Sequence, residues 1–156
     1  NVNAMSPWRF EEPLAPDMAA RREGRELDFV ALTAFCRDAM AEGADTCLIE
    51  GVGGVMVPLD ADHTIADLIA ALDVPSIVVV GSYLGTLSHS LTTIEAMRAR
   101  KLPIAAIVVS ESEDSPVPLD ETADTISRFE PEIPVRMMPR RKFVDGEPDL
   151  LADLLD

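Results

Sequence analysis

The 156-residue chain is poor in cysteine, in basic residues and in long apolar runs. Its two cysteines, Cys36 and Cys47, stand eleven apart with no Cys-x-x-Cys, so no disulfide framework or zinc site can be built from their pattern. They read as two buried free thiols. Lys and Arg number 13 against 28 Asp and Glu, a net charge of −15, and this repels a phosphate backbone, which asks for a basic surface that releases counterions. General nucleic-acid binding is excluded on that ground. A small phosphorylated ligand is not, because backbone N–H groups and a metal ion hold phosphate inside acidic proteins. Apolar runs such as Ile77 to Val80 fall far short of the roughly 20 residues that span a bilayer, so no membrane segment is expected. No basic stretch followed by an apolar one directs secretion, and a cytoplasmic setting is the default.

What is present is an apolar fraction of 47% beside 26% charged residues, enough to bury one core and too apolar for a disordered chain. Pro7, Pro13 and Pro16 keep the first 26 residues loop-like, with one helical turn expected around Asp17 to Arg22. Leu27, Val30, Ala31, Ala34, Phe35 and Ala39 recur at helical spacing before Gly43. Thr46-Cys47-Leu48-Ile49 predicts a strand buried on both faces, delivering Glu50 and then Gly51-Val52-Gly53-Gly54. A strand is also expected over 55–58, and a helix capped by Thr64 runs through Leu72.

The clearest strand is Ser76 to Val80, ending at Gly81, with a helix from about Thr86 to Arg100. A strand follows over 104–109, a helix over 119–129 and a short strand over 135–138, with a last turn or two over 150–155. Strands and helices alternate, which predicts one α/β domain over 1–156, a parallel sheet covered by helices on both faces. Ligands of such sheets bind at the carboxyl ends of the strands.

Those ends carry the candidate residues. Glu50, at a strand tip ahead of three glycines, suits a nucleotide-bound magnesium, which keeps waters and uses one or two protein carboxylates plus phosphates; its alternative is a turn cap. The N–H groups near Thr86, Leu87 and Ser88 open a helix, where a carboxylate or phosphate fits the positive dipole end; an ordinary capped turn is the competing reading. Arg136, Arg140, Arg141 and Lys142 form the one dense basic cluster, a nucleotide or phosphate site or a solvated loop. His63 and His89 carry no chemistry by position alone.

In this order the segments closely resemble the dethiobiotin synthetase family. The likeness rests on Pro7-Trp8-Arg9-Phe10 with Pro13 and Pro16, on Glu50-Gly51-Val52-Gly53-Gly54 leading to Val57-Pro58-Leu59, on Thr64-Ile65-Ala66-Asp67, and on Val78-Val79-Val80-Gly81 with Leu84-Gly85 and His89. It spans the chain from Val2 to about Pro139. The resemblance implies a P-loop-NTPase-type, Rossmann-like α/β fold and a homodimer. It also implies ATP- and magnesium-dependent closure of the ureido ring of dethiobiotin from 7,8-diaminopelargonate and CO2. It places magnesium on Glu50, and ATP on Glu50, Gly51, Val52, Gly53, Ser110, Glu111, Pro139, Arg140 and Arg141. The substrate's carboxylate tail falls on Thr86, Leu87 and Ser88.

Two departures stand out. No Gly-x-x-x-x-Gly-Lys-[Ser/Thr] occurs in these residues, so the phosphate-cradling loop and the family's catalytic Lys have no counterpart here, and no catalytic residue is assigned in this segment. The sequence is accordingly expected to be the C-terminal part of an enzyme incomplete at its N-terminus and inactive alone. The rival expectation is a non-catalytic P-loop-derived dimerisation or regulatory domain. Second, Ser110-Glu111 stands where the family carries Asn-Asp, and a hydroxyl cannot supply an amide's paired donor and acceptor to a base.

Overall fold

A computed structural model describes residues 5–113 and 115–140. The expected last turn over 150–155, Arg141 and Lys142 lie outside the described residues. The chain divides into two compact units, Asn1–Asp73 and Val74–Asp156.

The first unit is helical. Pro16, preorganised for a first helical position, opens α1 (Pro16–Arg22), longer by one residue than the turn expected. Asp28 then caps α2 (Phe29–Ala41), its carboxylate accepting from the N–H groups of Val30 and Ala31. α3 (Ile65–Leu72) ends in Asp73, whose left-handed conformation (φ 54°) terminates the helix. The Arg37 guanidinium donates to the Ala71 carbonyl at 2.7 Å and fastens α2 to the end of α3. The proline-rich start is held by aromatic contacts. Trp8 meets Phe35 edge-on with centroids 5.5 Å apart, and Arg25 covers the Phe10 ring while donating to the Arg9 carbonyl. Buried Ala19, Ala20, Leu27, Cys36, Leu59, Ile65 and Leu68 make this unit's core.

The expected strand over Thr46–Ile49 does not form: 46–50 have no regular structure, and Leu48 is 74% exposed. A strand exists only beside a neighbour that takes its hydrogen bonds, and no described strand pairs with this segment. Cys47 is likewise exposed, where a buried thiol was expected, while Cys36 is buried. The strand expected over 55–58 shrinks to one antiparallel bridge, Pro58 to Thr64. The Val55 and Val57 carbonyls accept instead from the Ala66 and Ile65 N–H groups at the start of α3. A helix N-terminus offers unpaired donors, and here they outcompete a ladder.

The second unit is a parallel three-stranded sheet flanked by helices, as the alternation predicts. Its elements are β1 (Ser76–Gly81), α4 (Thr86–Ala99), β2 (Ile104–Ser110), α5 (Leu119–Phe129) and β3 (Val135–Met138), in the sheet order β1-β2-β3. Val78 aligns with Ile107 and Val135, and Gly81 aligns with Ser110 and Met138. The three carboxyl ends therefore finish level. α4 packs on β1 and α5, and α5 packs on β2 and β3, around fully buried Ile94, Met97, Ile107, Val108, Val109 and Ile126. Arg98 of α4 pairs with the buried carboxylate of Glu130, which caps α5. No helix among the described residues is long and apolar enough to cross a membrane.

Candidate functional site

In the first unit the candidate residues are Glu50, Gly51, Val52 and Gly53. Glu50 is exposed, on an irregular segment rather than at the tip of a buried strand, which corrects the expected placement. The glycines after it bend the chain against α3. Gly53 has φ +71°, and a Cβ there would lie 2.8 Å from Val57 Cγ2; one on Gly51 would lie 3.2 Å from Ile65 Cγ2. Val57 N–H closes the turn onto the Gly54 carbonyl at 2.9 Å. The run is thus folded tightly onto the α3 entrance, and a cleft of about 370 Å³ opens beside it, lined by Pro13, Leu14, Ala15, Pro16, Val52, Gly53 and Val57.

No group of three or more His, Cys, Asp or Glu side chains converges among the described residues. Glu50 is an exposed carboxylate that belongs to no such group. That donor set fits a magnesium ion held chiefly by water and phosphate oxygens, and does not fit a metal caged by protein alone. Burial, and after it the neighbouring Cys47, push the Cys36 thiol above its usual range, so it is no ready thiolate.

The entrance to α3 is organised by two acids. Thr64 N–H and Thr64 Oγ1 both donate to Asp67 Oδ2, at 2.7 and 2.6 Å. One turn earlier, Asp60 accepts from His63 Nδ1 at 3.0 Å and from the Asp62 and His63 N–H groups at 2.9 and 2.7 Å. Burial pushes the Asp60 carboxyl up, but these two N–H groups and the His63 ring outweigh it and hold it below its ordinary value. The His63 ring stacks on Phe29 with centroids 4.0 Å apart.

The second unit brings its candidates to the level carboxyl ends of its strands. At the start of α4, Gly85 adopts φ +100°, a conformation that glycine alone takes without strain. Thr86 is buried; its hydroxyl donates to the Gly81 carbonyl at 2.7 Å and its N–H to the Tyr83 carbonyl at 3.1 Å. Thr86 thus spends its polar groups on closing the loop. The Leu87 and Ser88 N–H groups have no backbone acceptor among the described residues, and they are the donors that this helix end presents. Tyr83 Oη lies 3.0 Å from His89 Nδ1 one turn along.

Beside this helix start, the loops after β2 and β3 are tied together. Glu111 N–H donates to the Met138 carbonyl at 2.9 Å, and Arg140 N–H donates to Glu111 Oε2 at 2.7 Å. The Arg140 guanidinium pairs with Glu113 at 3.1 Å. Ser110, Glu111, Pro139 and Arg140 thus share one rim, while Arg141 lies outside the described residues. Sequence reasoning missed Ser82, Ser112, Glu113 and Ser115, which hold these loops. The available signal was hydroxyls one or two residues beyond the ends of adjacent parallel strands.

A family model described as an AAA domain matches residues 1–141. An ATP-dependent dethiobiotin synthetase BioD of Acidiphilium cryptum is 45% identical over 148 residues, covering 95% of this chain and 64% of that protein. The protein of the same name in Methylobacterium nodulans is 48% identical over 129 residues, with 81% and 57% covered. That of Caulobacter vibrioides is 47% identical over 152 residues, with 97% and 68% covered. The chain spans about two thirds or less of the length of these three relatives.

Proposed function

This chain belongs to the dethiobiotin synthetase family, and from that premise we propose that it forms the larger part of an ATP-dependent cyclo-ligase of biotin synthesis, cytoplasmic and homodimeric. The observation that carries the proposal is the 45% identity to a dethiobiotin synthetase along 95% of the chain.

In this reading one amine of 7,8-diaminopelargonate adds to CO2 and loses a proton to become a carbamate. A carbamate oxygen attacks the γ-phosphorus of ATP and ADP leaves. The neighbouring amine then attacks the carbamate carbon, phosphate departs, and the ureido ring closes. The residues present serve binding and orientation. Glu50 supplies one carboxylate to magnesium, and magnesium when bound offsets phosphate charge. Gly51, Val52 and Gly53 offer backbone to the phosphates, and the lack of side chains on Gly51 and Gly53 is what lets this run pack against Ile65 and Val57.

The free N–H groups of Leu87 and Ser88 receive the tail carboxylate at the positive end of α4, with Thr86 holding the turn that aims them. Ser110, Glu111, Pro139 and Arg140 form the rim that meets the base. Ser110 offers it a single rotatable hydroxyl, which accepts or donates according to the partner.

The test is dethiobiotin formation from 7,8-diaminopelargonate, bicarbonate and Mg·ATP by a chimera in which the remaining length comes from the Acidiphilium cryptum relative. Product that falls by at least about tenfold in Glu50→Gln at low magnesium, some 1.4 kcal/mol, supports the assignment. A soluble, folded chimera that forms no dethiobiotin overturns it.

A further inference from the structure

Three serines beyond the carboxyl ends of β1 and β2 play no part in the reading above, and they fasten two loops to each other. Ser82 is 0% exposed. Its N–H donates to Ser112 Oγ at 3.0 Å, and Ser112 N–H donates back to Ser82 Oγ at 3.0 Å. Ser115 Oγ donates to the Ser82 carbonyl and accepts from Val117 N–H at 3.1 Å. A Cβ on Gly81 would come within 2.6 Å of Ser112 Oγ and 2.7 Å of Tyr83 Cδ1, so Gly81 is what admits this close approach.

The arrangement is reciprocal: each hydroxyl satisfies the other residue's N–H, across 30 residues of sequence. Loops beyond strand ends normally carry the mobility of a fold, and a buried donor deprived of its acceptor costs free energy. Neither loop can therefore leave its place without stranding a polar group on the other. Three residues beyond Ser82 stands Gly85 and the entrance to α4. One residue before Ser112 stands Glu111, itself bound to Met138 and Arg140.

We propose that Ser82 and Ser112 are positioning residues that couple the α4 entrance to the rim formed by Ser110, Glu111 and Arg140, so that a ligand that shifts one side shifts the other. The identity of the two ligands, an aliphatic diamino acid at α4 and a nucleotide at the rim, rests on the proposed function. The coupling itself rests on the hydrogen bonds. Because the staple already holds the two loops to each other, a ligand that shifts one loop shifts the other with it, and linkage makes the effect mutual.

Hydrogen-exchange mass spectrometry on the 156-residue chain decides the coupling without any ligand. Ser112→Ala is expected to speed exchange in residues 81–86 as well as 110–113, with residues 105–109 of β2 unchanged and Ser112→Thr restoring protection. Faster exchange confined to 110–113 overturns the proposal. In the chimera described above, calorimetry gives the affinity for 7,8-diaminopelargonate with and without a non-hydrolysable ATP analogue. The wild-type ratio is expected to be at least about fivefold and to collapse toward one in Ser112→Ala. A ratio of one in the wild type, or one kept in Ser112→Ala, overturns the coupling even where dethiobiotin is still formed. A chimera that forms no dethiobiotin removes the functional reading alone, and exchange then decides the coupling.

Discussion

At the scale of single residues, backbone geometry gives sharper expectations than charge. Gly53 combines φ +71° with a Val57 methyl 2.8 Å from where a Cβ would stand, whereas Gly54 has open space and no positive φ. Gly53→Ala is therefore expected to destabilise by about 1–3 kcal/mol, read as a lower urea midpoint, and Gly54→Ala to stay within about 0.5 kcal/mol. Asp60 shows how far charge reaches. Its carboxyl is held below the ordinary 3.8 against the opposing pull of burial, by the Asp62 and His63 N–H groups and the His63 ring. The folded state then binds fewer protons than the unfolded state across that window, so the stabilisation is complete above about pH 4 and is lost as pH falls through the lowered value. Wild type is expected to exceed Asp60→Asn in thermal midpoint at pH 6, with the gap closing steadily below pH 4. A gap that persists at pH 2 would contradict the assigned cause.

At the scale of elements, the helices and the three parallel strands were legible because each carries its own determinants. Asp28 caps α2, Thr64 precedes α3, and the β-branched run 76–80 is followed by α4, which carries Arg98 in its last turn where the helix dipole favours a cation. The Asp67 carboxylate accepts both donors of Thr64, so Asp67→Ala is expected to cost about 1 kcal/mol. Asp67→Asn, which keeps an acceptor, should cost less; equal losses by chemical denaturation would sink the capping account. The strands expected over 46–49 and 55–58 were misread for one shared reason. Apolarity marks a segment fit to be buried, but strand structure is a property of a pair. The carbonyls of Val55 and Val57 found donors at the α3 entrance, and 46–49 found no described partner. The candidate site divides the same way. The Leu87 and Ser88 N–H groups follow from where a helix begins, and were legible. Thr86 spending its hydroxyl on Gly81, and the tie from Arg140 to Glu111, depend on loops far apart in sequence, and no local pattern announces them.

At the scale of the whole molecule, the deciding fact is what a nucleotide would have to be held by. The chain carries −15 net charge and no Gly-x-x-x-x-Gly-Lys-[Ser/Thr], so no P-loop lysine meets the phosphates and the protein's field opposes them. The candidate metal ligand, Glu50, is an exposed carboxylate, and no group of three or more His, Cys, Asp or Glu converges among the described residues. Backbone donors and a hydrated ion can orient a triphosphate, yet transferring its γ-phosphoryl group calls for cationic stabilisation of charge spread over the equatorial oxygens. These 156 residues alone are therefore expected to form no dethiobiotin from 7,8-diaminopelargonate, bicarbonate and Mg·ATP, by mass spectrometry at any magnesium concentration, while the chimera with the relative's remaining length does. Product from the isolated chain would mean that phosphoryl transfer here draws its positive charge from another source. Arg140, two residues past the carboxyl end of β3, would be the first residue to replace.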